Sequence, residues 1–344
     1  MRFLLLFISS IYGLLIFIRN KLFDLKILKS KIFNIPIICV GNISSGGTGK
    51  TPQIEYLIDF LSNKNIAVLS RGYARKSTGF IIVDETSSSK IVGDEPLQIK
   101  QKFPQIKVFV CESRRKGIKK IMKLYPNTEL ILMDDGFQHR WIKAGIYILL
   151  NNYEKPFYSD NLIPLGSLRE FKNGAERADI VITTKCPNLE NNEKELIKSK
   201  IKLFNNKNTY FSSIKYLQIK PVFNAEKISD LFNYNVILVT SIADSNNLIK
   251  YLEAKENKVN HIRYPDHYNF RKKDIEKIIY SYKKSNYKKN IILITEKDKV
   301  KINKFEKYFE KIDIYFIPIK TKIHNSAKFN TEILKYVRKN QKKR

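Results

Sequence analysis

The sequence predicts an α/β chain: a doubly wound, largely parallel sheet, a second, smaller α/β domain after it, and an apolar helix in front. Three observations carry that prediction. β-branched apolar runs recur along the chain with helical patterns between many of them, which is the alternation of a doubly wound sheet. Several runs are apolar at every position, as strands covered on both faces are. Residues 3–18 form a nearly unbroken apolar stretch. The 344 residues suffice for two cores, and a hydrophobic content of 43% is globular rather than disordered.

Arg2 precedes the apolar stretch, and Arg19 and Lys21 follow it. A full membrane span needs ~20 apolar residues. This shorter run reads as a helix lying in, or dipping into, one face of a membrane. A signal peptide and a buried core helix are the alternatives, and the first lacks a small-residue cleavage site. The expected division is residues 1–30 for the helix, 31–215 for the larger domain and 216–344 for the smaller one.

Residues 37–51 read Ile-Ile-Cys-Val-Gly-Asn-Ile-Ser-Ser-Gly-Gly-Thr-Gly-Lys-Thr. A buried strand ends here in a glycine-rich turn. Ile54, Leu57, Ile58 and Leu61 then recur at helical spacing. Pro52 falls in the first turn, where a missing N–H costs little. Such a turn wraps backbone N–H groups around a phosphate, so Ser44, Ser45, Gly46, Gly47, Thr48, Gly49, Lys50 and Thr51 form a cradle. In that pattern Lys50 reaches the β/γ-phosphates and the Thr51 hydroxyl ligates Mg²⁺. The helix that follows points its positive end at the same anion. The larger domain is therefore of the P-loop type, although Ser44 stands where the general pattern has glycine.

Further strand runs fall at 66–69, 80–83, 106–110, 129–133, 146–150 and 179–183. Ligands of open α/β sheets bind at the carboxyl ends of strands. Polar clusters sit there: Ser70-Arg71-Gly72-Tyr73, Asp134-Asp135-Gly136 and Thr183-Thr184-Lys185. Asp134 and Asp135 are either a Mg²⁺-positioning pair across from the phosphate loop or a surface turn. Gly93-Asp94-Glu95-Pro96 is explained equally well as a helix cap. A polar stretch, 188–222, marks the junction, and strands at 236–240, 291–295 and 314–318 form the second domain. Asp266 beside His267 is an acid/base element or a paired surface residue. Arg169, in Leu168-Arg169-Glu170, is of the type that clamps phosphates. Thr295-Glu296-Lys297-Asp298 departs from the guanine-reading pattern, because Asp298 follows Lys297 directly. The basic tail 335–344 is a solvated helix end or a lipid-headgroup contact.

The formal charge is +30, from 63 Lys+Arg against 33 Asp+Glu. A basic surface suits anionic partners, yet lysine-rich composition also follows from an AT-rich genome. The sequence has no nucleic-acid-binding motif and implies no protein partner. Cys39, Cys111 and Cys186 lie far apart and read as reduced core residues. A nucleotide-hydrolysing switch or a metal chaperone would share the phosphate loop. It would add a guanine motif or Cys/His ligands, and neither is present.

Taken in order, these pieces resemble one family, the tetraacyldisaccharide 4′-kinases of lipid A synthesis. The matching stretches are Val40-Gly41-Asn42 through Thr51-Pro52, Ser70–Tyr73, Gly93–Pro96, Asp134–His139, Leu168–Glu170, Asp266-His267 and Thr295–Asp298. Ser44 is expected for this family. Ser241 is a departure, standing where the family tends to have glycine. The resemblance implies ATP-dependent phosphorylation of the 4′-hydroxyl of a lipid A disaccharide 1-phosphate, with Mg²⁺, at the cytoplasmic face of the inner membrane. It implies that Asp94 is the base, with His267 beside it. Lys50 and Asp135 join the catalytic set; Thr51, Asp134 and Asp135 hold the metal. Arg71, Glu95, Arg169 and Glu170 become acceptor or phosphate contacts. An acceptor with four acyl chains stays in the bilayer, so the apolar helix and basic surface would dock the enzyme peripherally or monotopically on anionic lipid.

Overall fold

The alternation of wholly apolar runs with amphipathic segments resolves, in the computed structural model, into two largely parallel sheets and a projecting helix; residues 2–285 and 287–341 are described. That helix, α1 (Arg2–Asp24), carries Phe3, Phe7, Leu14, Leu15 and Phe17 exposed. Phe3–Asp24 is long and apolar enough to cross a membrane, and little of it is buried. A core helix would bury those side chains, so that alternative fails. One stripe of α1 is docked on the body. The Tyr12 hydroxyl donates to the Arg169 carbonyl at 2.7 Å, and Gly13 lies against Leu162 and Phe171.

The larger sheet takes β1 (Ile37–Gly41), β2 (Ile66–Ser70), β3 (Ile81–Val83), β4 (Lys107–Val110), β5 (Leu130–Asp134), β6 (Ile146–Asn152), β7 (Ile180–Thr184) and β8 (Asn208–Tyr216). Its helices are α2 (Lys50–Phe60), α3 (Ser89–Val92), α4 (Asp94–Lys102), α5 (Arg114–Leu124) and α6 (Asn191–Lys202). With a ninth strand from late in the chain, β14 (Ile319–Ile323), the order is β14-β8-β7-β6-β1-β5-β2-β4-β3. From β1 the chain winds first toward β3 and then, through β6, to the other side. The crevice at the carboxyl end of β1 is thus the topological switch point. Both faces are covered. Ile38, Val40, Val68 and Leu132 pack on one side, and Ile37, Cys39, Leu69 and Met133 on the other, all buried. All three cysteines are free and buried.

The smaller sheet has β9 (Lys220–Pro221), β10 (Asn235–Thr240), β11 (Lys258–Arg263), β12 (Asn290–Thr295) and β13 (Ile314–Ile317), in the order β11-β10-β12-β13-β9. Its helices are α7 (Asn246–Glu253), α8 (Lys272–Lys283) and α9 (Glu296–Ile302). After β13 the chain returns to the larger sheet. β14 (Ile319–Ile323) pairs antiparallel with β8, and α10 (Ser326–Gln341) buries Phe329, Ile333 and Val337 in its core. The division expected at 216 keeps residues 319–341 with the smaller domain, whereas the structure packs them on the larger one. β14 has one buried end and polar alternate positions, so its short pattern reads as loop until β8 is there to pair with it. The last part of the basic tail, 342–344, lies outside the described residues.

Candidate active site

The phosphate loop leaves β1 and is braced on both sides. Ser45 N–H donates to the Ser167 carbonyl at 2.7 Å, and the Arg169 guanidinium donates to the Ser44 carbonyl at 3.2 Å. Ser44 thus sits in a small backbone ladder, where a glycine conformation is not needed. Positive φ falls instead at Gly46 (+100°) and Gly49 (+86°), the positions that turn the chain into α2. Asn42 donates to Thr48 Oγ1 at 2.6 Å, and Thr184 Oγ1 donates to the Thr48 carbonyl at 2.8 Å. Within the loop Thr48 N–H donates to the Gly46 carbonyl at 2.8 Å, and α2, starting at Lys50, presents its N-terminal end to the space in front of the loop.

The two adjacent aspartates have opposite surroundings. Asp135 lies 3.7 Å from Lys50 Nζ and takes a two-point contact from Arg169 at 3.0 and 3.2 Å. Burial would raise its carboxyl, but Lys50 and Arg169 outweigh burial and bring it down to about 2. Asp134 is 1% exposed. One of its oxygens accepts from Ser70 Oγ at 3.2 Å, and the other is buried without a partner. Burial, then Glu95 and Asp135, push it up to about 7. Lys50 and Arg114 oppose that rise without cancelling it.

Asp94 opens α4, yet it does not cap it: the cap residue is Gly93, with no side-chain bond to the helix. Its carboxylate turns to the smaller domain, 3.3 Å from His267 Nδ1 and 3.7 Å from Lys301 Nζ. The cap explanation of Asp94 therefore fails. Tyr73 packs on the His267 ring at 4.9 Å between centroids. Lys297 reaches Glu95 at 3.2 Å, Asp266 at 3.3 Å and His267 Nε2 at 3.1 Å. Asp135, Lys185 and His267 all hold left-handed backbone, with φ of +47°, +58° and +59°. For non-glycine residues such conformations cluster at functional sites.

A cleft of about 720 Å³ lies between the two sheets. Ser45 to Thr51, Glu95, Asp135, Arg169 and His267 meet there, together with Lys185 and Lys297. Ile214, Tyr216, Ile242, Leu248 and Ile317 make its other end apolar. Ser44, Arg71, Asp94, Asp134 and Glu170 are not among its lining residues; Ser44, Asp94 and Asp134 are buried beside it. Arg71 is exposed at the end of β2, and Glu170 is 2% exposed beneath α1, with both oxygens on Arg177 at 2.7 and 2.8 Å. Sequence reasoning assigned no role to Lys185, Lys297, Lys301 or Tyr73. The signal for the first was its place just past a strand end. The signal for the lysine pair was a four-residue spacing after β12.

A family model described as tetraacyldisaccharide-1-P 4′-kinase matches residues 1–338. The chain belongs to that family. Among its relatives, the tetraacyldisaccharide 4′-kinase of Flavobacterium psychrophilum is 43% identical over 343 residues, covering 96% of this chain and 95% of that protein. The enzyme of the same name from Bacteroides thetaiotaomicron is 39% identical over 351 residues, covering 97% and 92%. A crystal structure of Aquifex aeolicus LpxK in complex with ATP superposes with a TM-score of 0.76 at 30% identity, over 98% of this chain and 99% of that one. Family membership thus extends over the larger sheet, the smaller sheet and α1 alike.

Proposed function

We propose that this chain transfers the γ-phosphate of ATP to the 4′-hydroxyl of a tetraacyldisaccharide 1-phosphate, giving the 1,4′-bisphosphate of lipid A synthesis. The observation that carries the reading is the convergence of the phosphate loop, the Asp135–Lys50–Arg169 cluster and His267 on one cleft, with Asp94 buried behind the His267 ring and 3.3 Å from its Nδ1. The triphosphate lies along residues 44–51, with the purine ring at the apolar end near Tyr216 and Leu248. Asp94 accepts the proton of the acceptor hydroxyl as its oxygen bonds to the γ-phosphorus and the bond to the β-bridging oxygen breaks. Lys50 meets the charge developing on the transferred group. His267 holds Asp94 in place, and Arg169 fixes Asp135 and the loop together.

Mg²⁺ fits this donor set. The free buried oxygen of Asp134, Asp135 and the Thr51 hydroxyl are hard ligands. Among the described residues no three His, Cys, Asp or Glu side chains group as a metal site, so the nucleotide's phosphates would complete the shell. When bound, the ion neutralises phosphate charge. Glu95 and Arg169 line the cleft and are the acceptor or phosphate contacts of this reading. The exposed apolar face of α1 supports a site at the inner membrane, facing the cytoplasm, with the body resting on anionic lipid.

The test is direct. ATP, Mg²⁺ and tetraacyldisaccharide 1-phosphate in mixed micelles should yield ADP and bisphosphorylated lipid in equal amounts. ATP turnover that ignores the lipid, with no phosphorylated product, would end the proposal.

A further inference from the structure

Lys297 and Lys301 are one helical turn apart on α9, so both project from the same face. That face meets α4. A lysine ammonium only donates hydrogen bonds. The contact of Lys297 Nζ with His267 Nε2, at 3.1 Å, therefore requires a lone pair on Nε2. The ring proton then sits on Nδ1, pointing at Asp94 Oδ2. One lysine of the pair fixes the histidine tautomer.

The other lysine is buried. The Lys301 side chain is 1% exposed, and a buried ammonium is costly without compensation. Asp298 supplies it at 2.9 Å and is itself held by Ser241 N–H at 3.0 Å and Thr295 Oγ1 at 2.7 Å. Lys301 also donates to Ser241 Oγ. That arrangement alone would satisfy the lysine. Even so, Nζ stands 3.7 Å from Asp94 Oδ2, on the opposite domain. Asp94 is faced by His267 and Lys301, with Lys297 and Glu95 next to them.

We propose that Lys301 is a positioning residue for Asp94: the smaller domain supplies, through α9, the cation that faces the carboxylate and holds it against His267. Asp94 is then complete only where α9 meets α4. The inference rests on the reading of Asp94 as the base.

Two variants test it. Lys301→Met leaves Asp298 buried and uncompensated, which lowers the melting temperature. The paired Lys301→Met/Asp298→Asn variant removes both charges and should regain much of that stability. If Lys301 positions Asp94, kcat stays on the order of 10- to 100-fold below wild type in both variants. KM for ATP remains within about twofold, because the phosphate loop is untouched. The acidic limb of the kcat–pH profile moves to higher pH. A paired variant that regains its rate along with its stability would overturn the inference, as would an acidic limb that stays in place. Wild-type turnover by Asp94→Ala would instead remove the base reading, a different outcome from either.

Discussion

The two sides of the cleft are built in opposite ways. The phosphate side comes from one contiguous stretch, residues 44–51, closed by Asp135 and Arg169 of the same domain. The base side joins Asp94 of α4 to His267, 173 residues away on the smaller domain, and to the α9 lysines. The first side is set by local chain geometry and a single sheet. The second exists only through the seam between domains. Lys102 reinforces that seam, meeting Glu55 at 2.7 Å and Glu296 at 2.8 Å. The difference teaches that nucleotide binding and proton removal can fail separately. Damage to the loop should abolish both, whereas loss of the Asp94 carboxylate should spare the nucleotide.

Lys50→Ala should therefore have the largest effect. The charge that developed on the phosphoryl group loses its partner, and kcat should fall roughly 10³-fold or more. ATP affinity, read by calorimetry, should fall with it. Asp94→Asn comes next: roughly 10²- to 10⁴-fold in kcat, with ATP affinity within about twofold. A parallel loss of ATP binding in Asp94→Asn would break the separation of the two sides.

The same contrast governs what could be read in the sequence. The phosphate loop, β1, β5 and Asp134-Asp135 are legible because their residues are contiguous and their chemistry follows from spacing. Asp94 was not legible from spacing alone, since Asp before Glu-Pro at a helix start has an adequate explanation as a cap. Only the contact across the seam gives it chemistry. Lys301 was invisible for the same reason. A lysine in a chain with 63 Lys and Arg residues carries no signal until the fold buries it. Glu170 erred in the other direction. Its neighbour Arg169 points into the cleft, whereas Glu170 turns beneath α1 to Arg177 and Gln138. Successive residues of an extended segment face opposite ways, and the sequence does not say which side is the site. β14 is the remaining gap, because its partner strand lies over a hundred positions upstream.

A third effect sharpens the contrast by leaving both sides intact. Leu14 and Leu15 are exposed on α1 and touch neither the loop nor the seam. Leu14→Glu/Leu15→Glu places carboxylates where an acyl region would lie. KM for the acceptor in anionic vesicles should rise about tenfold or more, with kcat and KM for ATP unchanged. Equal effects on a short-chain acceptor free in solution would show that the helix acts on the site and not on the membrane.

The smallest effect concerns stability and stays on the larger domain. Burial, followed by the positive charges of Arg114, Arg19 and Arg71, holds the His139 imidazole down at about 4, below the 6.5 of a free ring. The folded state thus keeps His139 neutral where the unfolded chain protonates it. As pH falls from about 6.5 to about 4, the unfolded state gains a proton that the native state refuses, and stability is lost across that window. His139 should therefore weaken the wild-type protein by about 1–2 kcal/mol between pH 7 and pH 5, and His139→Gln should remove that portion of the pH dependence in urea unfolding. His139 follows the Asp134-Asp135 turn, away from α9, so the substitution should leave the acidic limb of kcat where it is. If His139→Gln moves that limb together with stability, the two sides of the cleft are coupled through the larger domain, and the seam is not the sole route by which Asp94 feels its surroundings.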